Sequence, residues 1–74
     1  MIEFTLRPSP DSEEPFIELN KLLKATQVAE SGSMANQLIS SGKIFVNGKV
    51  DTRKRAKIRK GDKITYDFTI IEVH

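Results

Sequence analysis

The residues best equipped for chemistry lie in one short stretch. Residues 50–61, VDTRKRAKIRKG, hold Arg53, Lys54, Arg55, Lys57, Arg59 and Lys60 against a single carboxylate, Asp51. Guanidinium and ammonium groups at this density do not make a catalytic set; they make a surface for anions. If residues 52–59 are extended, Ala56 and Ile58 point to one side and Arg53, Arg55, Lys57 and Arg59 to the other. Successive cations of that row would stand about 6.5–7 Å apart, twice the rise per residue of a strand. A solvated face ordinarily mixes signs to limit self-repulsion, and this one does not. A phosphate backbone offers the compensation, because neutralising it releases counterions. The bland alternative is a soluble basic edge that discourages sheet aggregation.

The charge of the whole chain, +2 over 74 residues, conceals a segregation. Residues 1–30 carry six acids and three bases, and residues 31–42 carry no charge. Residues 43–60 carry eight bases, Lys43 and Lys49 among them, against Asp51 alone. Asymmetry of this kind speaks about partners more than about fold, and it points to a polyanion. Catalysis has little to draw on. There is no cysteine, and the one histidine is His74, so disulfides and a Cys/His metal site are excluded. Gly42-Lys43 lacks the earlier glycine of a Walker-type phosphate loop and opens a strand. No enzyme, metal or cofactor is expected. Asp11, Glu13 and Glu14 read as a solvated acidic loop. The first ten residues, MIEFTLRPSP, do not form a secretory signal, and no apolar run approaches the roughly 20 residues of a membrane span. The expectation is a soluble cytoplasmic protein that does not engage a membrane.

The elements that must position the cations follow from periodicity. Ile2, Phe4 and Leu6 alternate with polar residues and predict a strand over 2–7. In FIELNKLLKATQV, Leu19, Leu22 and Leu23 form the stripe of an amphipathic helix, with Glu18 near its start. In SGSMANQLISSG, Met34, Ala35, Leu38 and Ile39 share the face of a second helix. Ser31 or Ser33 can cap its start, and Gly42 fits the left-handed position after its end. The period then changes: KIFVNGKV places Asn-Gly between apolar stretches, the signature of a type I′ hairpin. Ile64, Tyr66 and Phe68 alternate after a Lys-Gly-Asp turn, and TIIEV, residues 69–73, makes a last strand. Helices first and strands after predict an α+β domain, a two-helix hairpin on a small, mostly antiparallel sheet of about four to five strands.

The outward residues of the second helix are Ser33, Asn36, Gln37, Ser40 and Ser41, all neutral hydrogen-bonding groups. Such a face can approach phosphates and sugars closely. Phe4, Phe16 and Phe68 sit in apolar patterns and are expected in the core. Phe45 lies on the opposite strand face from Ile44 and Val46. It is either an exposed aromatic or the sign that both faces are covered.

The ordered run LNKLLKATQVAESGSMANQLISSGKIFVNGKVDTRKRAKIRKGDKI resembles the RNA-binding domain first described in the small-ribosomal-subunit protein S-four. The likeness rests on Leu19, Leu22 and Leu23, on Ser31, Ala35, Leu38 and Ile39, and on GKIFVNGKV and KIRKGDKI in family order and spacing. It spans about residues 17–65, within a single domain of residues 1–74 flanked by strands 2–7 and 69–73. The residues look most like small stand-alone bacterial members of that family. The resemblance implies an αL-type fold and a non-enzymatic protein that binds structured RNA, ribosomal RNA or a ribosomal particle, with ribosomal proteins nearby and a monomer as the working form. It also implicates the second helix and the hairpin turn: Ser33, Asn36, Gln37, Lys43, Asn47 and Lys49. Many members carry an arginine where this chain has Gly32; the basic row at Arg53, Lys54, Arg55 and Lys57, continued by Arg59 and Lys60, is read as supplying that charge. With few aromatics free, recognition of RNA shape and backbone is expected to outweigh base reading. Two other readings compete. A DNA-binding helix-turn-helix is disfavoured because the second helix has no Arg or Lys to read guanine. An adaptor docking on an acidic protein surface would use the same cations.

Overall fold

A computed structural model of the chain describes residues 1–6 and 15–74. The acidic loop expected at Asp11, Glu13 and Glu14 lies outside the described residues, as does Arg7 at the end of the first expected strand. The described elements run β1 (Ile2–Phe4), β2 (Phe16–Glu18), α1 (Leu19–Ala25), α2 (Gly32–Ser40), β3 (Ile44–Val46), β4 (Lys49–Val50), β5 (Lys57–Arg59), β6 (Lys63–Tyr66) and β7 (Thr69–Val73). One sheet has the order β1-β7-β6-β3-β4, and β2 pairs separately with β5. Every pairing is antiparallel except β1 with β7. The class is α+β, as the element order predicts.

The helical stripes meet the inward face of the strands. Leu19, Leu22 and Leu23 of α1 and Ala35 and Ile39 of α2 pack with Ile44, Ile58, Ile64 and Ile71 in one core. Each fully buried aliphatic side chain is worth about 1.5–3 kcal/mol. That burial holds helices of seven and nine residues, which are too short to persist alone. Neither helix is long and apolar enough to cross a membrane.

Local chemistry sets the ends of α2. The Ser31 hydroxyl accepts the Met34 N–H at 3.2 Å. At the other end Gly42 takes φ +75°; its N–H donates to the Ile39 carbonyl and the Lys43 N–H donates to Leu38. This is the double bond of a Schellman stop. The next turn is set as firmly: Asn47 and Gly48 both have positive φ, 53° and 86°, and join β3 to β4 in the predicted two-residue hairpin.

The structure departs from the sequence reading in four places. Residues 16–18 form a strand rather than the first turn of α1, because Ile17 pairs in register with Ile58 and Glu18 with Lys57. The basic segment is not one extended row: Lys54 and Arg55 form a turn, closed by the Ala56 N–H on the Arg53 carbonyl at 3.2 Å. Ala56 and Ile58 are buried as expected, but only Lys57 and Arg59 share a strand face, and the turn spreads the remaining charges apart. Phe16 and Phe68 are exposed, Phe68 to 96%, since Phe16 stands on the outer side of the β2–β5 ribbon and Phe68 in the loop beyond the Tyr66–Thr69 pair. Phe4 does pack against the core. Met34 is exposed because it lies in the first turn of α2, where Ala35 and Ile39 take the buried positions.

Candidate nucleic-acid interface

The basic turn is anchored through its backbone. The N-cap of α1, Glu18, makes no side-chain cap. The N–H of Leu19 donates instead to the Ala56 carbonyl at 2.9 Å, and the N–H of Asn20 to the Lys54 carbonyl at 3.0 Å. These are orphan donors of a helix start, and the turn satisfies them with main-chain oxygens. Its side chains are left for solvent: Arg53, Lys54 and Arg55 are all exposed.

Asn20 also bonds across the helices, its Nδ2 donating to Asn36 Oδ1 at 3.2 Å. Asn36, a candidate contact residue, is thus half-buried and engaged between α1 and α2, while Ser33 and Gln37 stay exposed. The polar face of α2 and the basic turn are coupled through Asn20, which the sequence reading passed over. A neutral polar residue one position after the first leucine of the stripe was its only signal. Gly32, where the related arginine would sit, is the first residue of α2, and a Cβ built there meets nothing within 4 Å.

The hairpin and the turn converge. Asn47, Lys49, Asp51 and Arg53 line one open cleft of about 690 Å³, and Arg53, Arg55, Lys57 and Arg59 line a second of about 560 Å³. Arg53 belongs to both. Within the first cleft, Arg53 grips Asp51 with two bonds, Nε to Oδ1 at 3.1 Å and Nη2 to Oδ2 at 2.8 Å. The side-chain hydrogen bonds from Arg53 hold the Asp51 carboxyl below the usual aspartate range, and the carboxylate raises the arginine in turn.

Asn47 has a structural task as well. Its Nδ2 donates to Asp62 Oδ1 at 3.0 Å and its Oδ1 accepts the Lys63 N–H at 2.9 Å. Asp62 also accepts the Arg59 N–H at 2.8 Å. The hairpin tip is thereby tied to the turn that follows the basic strand.

The cations differ in how far they are committed. Arg55 lies 3.6 Å from Glu18, which also holds Lys21 at 3.1 Å. Lys57 stands 5.0 Å over the Phe16 ring, a diagonal cross-strand contact. Exposed ion pairs are worth about 0–1 kcal/mol, and the Arg53 and Arg55 side chains remain 77% and 84% exposed, so a polyanion can compete for them. Lys43, Lys49, Lys54 and Lys60 are exposed, with no ion pair among the described residues. Away from this surface, Glu3, Glu72 and His74 bring one ligand atom each within 4.8 Å of one another. They behave as cross-strand pairs, His74 with Glu3 at 3.7 Å and Glu72 with Lys63 at 4.0 Å.

Two helices on a mostly antiparallel sheet, with an exposed cationic turn tied to the first helix, define a small α+β domain. The chain belongs to the S4 domain family, whose sequence profile matches residues 11–74. YbcJ of Escherichia coli (strain K12), which bears a provisional RNA-binding name, is 41% identical over 59 residues, 80% of this chain and 84% of YbcJ. YbcJ of Shigella flexneri matches with the same figures. The solution structure of E. coli YbcJ, described as revealing an alfaL motif involved in RNA binding, superposes with a TM-score of 0.71 at 36% identity. The match covers 99% of this chain and 86% of that one.

Proposed function

We propose that this protein binds structured RNA, and acts on ribosomal RNA or a ribosomal particle as a binding protein rather than an enzyme. The observation that carries the reading is the anchored basic turn, with Arg53 shared between two cation-lined clefts. Membership of the S4 domain family supports it. Lys43, Lys49, Lys54 and Lys60, exposed and with no ion pair among the described residues, neutralise phosphates together with Arg59; Arg53, Arg55 and Lys57 exchange their present partners for phosphate oxygens. Ser33 and Gln37 offer neutral hydrogen bonds beside them, and Asn36 and Asn47 act by holding the surface in shape.

The test is binding to a structured ribosomal RNA fragment by fluorescence anisotropy across a salt series, with a DNA duplex of matched length alongside. Contact with about four to six phosphates gives a slope of log affinity against log salt of roughly −3 to −5. A Lys43→Ala, Lys54→Ala, Lys60→Ala variant should flatten that slope by about one per cation that touches phosphate while keeping the fold. Absence of RNA binding at low salt would sink the proposal, and equal affinity for the DNA duplex would remove RNA as the preferred ligand.

A further inference from the structure

The outer face of the larger sheet carries a row that the basic surface does not explain. Register pairs Val50 of β4 with Phe45 of β3, Phe45 with Thr65 of β6, and Thr65 with Ile70 of β7. Cross-strand partners share a face, so these four form a continuous line across four strands. Their chain neighbours Ile44, Ile64 and Ile71 point the other way, into the core beneath the helices. Among the described residues, no helix covers the row. Phe45 is 38% exposed and Val50 50%, whereas Ile44 is wholly buried. Of the two readings of Phe45, the exposed aromatic is the one the structure takes.

Lysines lie near the row. Lys43 is exposed just ahead of β3, two residues before Phe45, and Lys63 stands two residues before Thr65 on the same face of β6. Lys63 is shared with Glu72, but Lys43 has no ion pair among the described residues. Val50, the direct partner of Phe45, also lines the cleft that contains Lys49 and Arg53. The apolar row is therefore continuous with the anion-facing surface at its β4 end.

We propose that Phe45 is a stacking platform for an unpaired base of the bound RNA. On this reading the ligand is a structured RNA with a bulged or loop nucleotide beside its helix, rather than an uninterrupted duplex. The inference rests on the RNA-binding function proposed above and adds the class of RNA. A strand whose phosphates meet Arg53 in the cleft at the β4 edge lays its free base across Val50 onto the ring. Every base has a π-face, so such a platform selects for an unstacked base rather than for a sequence. Bases inside a continuous duplex are already stacked and cannot reach it.

Three RNA hairpins of one stem sequence, each closed by a non-nucleotide linker so that no loop base is free, test this: one continuous, one with a single bulged adenosine, and one with an abasic bulge that keeps the phosphates and lacks the base. Anisotropy should show the wild type binding the bulged hairpin on the order of 10-fold more tightly than the abasic one. Phe45→Ala should erase that difference and leave affinity for the continuous hairpin unchanged, while Phe45→Tyr keeps it. Phe68→Ala, which removes an even more exposed ring from another hairpin, should have no effect. If the wild type binds all three hairpins and Phe45→Ala alters no preference, the platform is overturned and the RNA-binding function stands. An equal loss on all three hairpins by Phe45→Ala, with a lowered melting temperature, gives Phe45 a structural role and also overturns it. Binding to none of them removes both proposals together.

Discussion

The carbonyl of Lys54 accepts the backbone N–H of Asn20 at 3.0 Å, so the most cationic turn of the molecule is fastened by its main chain to the first turn of α1. The fastening does not use the lysine side chain. Lys54→Ala should therefore change stability by no more than about 0.5 kcal/mol, the usual size of a surface substitution, while weakening polyanion binding. Ala56 is the other half of the clamp and is 5% exposed. Ala56→Asp places an unpaired charge there and should cost about 3 kcal/mol or more. Urea denaturation of both variants separates the two roles of the turn.

Asn47 combines a positive φ of 53° with two side-chain bonds to the 62–63 turn. Asn47→Gly keeps the conformation and loses the bonds, which predicts a loss of about 1–2 kcal/mol. Asn47→Ala keeps a Cβ in the left-handed region without the polar side chain that makes it tolerable there, and should be roughly 1 kcal/mol less stable than Asn47→Gly. Equal stability of the two variants, measured by thermal melts, would show that the backbone conformation contributes nothing.

The Asp51–Arg53 pair sets a pH dependence. Arg53 depresses the folded Asp51 carboxyl below its unfolded value of about 3.9. Its stabilisation is thus fully present above about pH 5 and is lost as pH falls through the depressed folded value. Asp51→Asn removes the pair at every pH. The wild type should lead this variant in urea midpoint at pH 7, and the lead should shrink steadily below pH 4. A lead that is constant from pH 7 to pH 2.5 contradicts the assignment.

Gly32 opens α2 with free space around its Cβ position and no positive φ. Gly32→Arg adds a cation at the start of α2, at no steric cost. If the start of α2 faces RNA, this variant should bind severalfold more tightly and steepen the salt slope by about one. An unchanged slope in a folded variant would place the RNA away from α2 and on the basic turn alone.

What the sequence by itself determined was local. A serine cap at Ser31 or Ser33, the Gly42 stop and the Asn47-Gly48 hairpin are each decided by hydrogen bonds and φ angles within a few residues, and those act before any tertiary contact forms; the structure takes Ser31. The leucine stripe of α1 and the inward pair Ala56 and Ile58 are legible for the same reason, since burial follows a fixed period along the chain. The S-four-like family was legible too, because its pattern is an ordered series of such local signals. Tertiary structure alone decided the rest. Residues 16–18 have a helical neighbourhood in sequence, yet β5 is 41 residues away and pairing Ile17 with Ile58 makes them a strand. Which cation is committed depends on which carboxylate folding brings near: Glu18 reaches Arg55, and a turn that no periodicity announces lets Arg53 close on Asp51. The same long-range choice left Phe45 on the uncovered face of the sheet and Phe68 at a hairpin tip. Side-chain type can mark a residue as apolar, but only the packing of distant elements settles whether anything covers it.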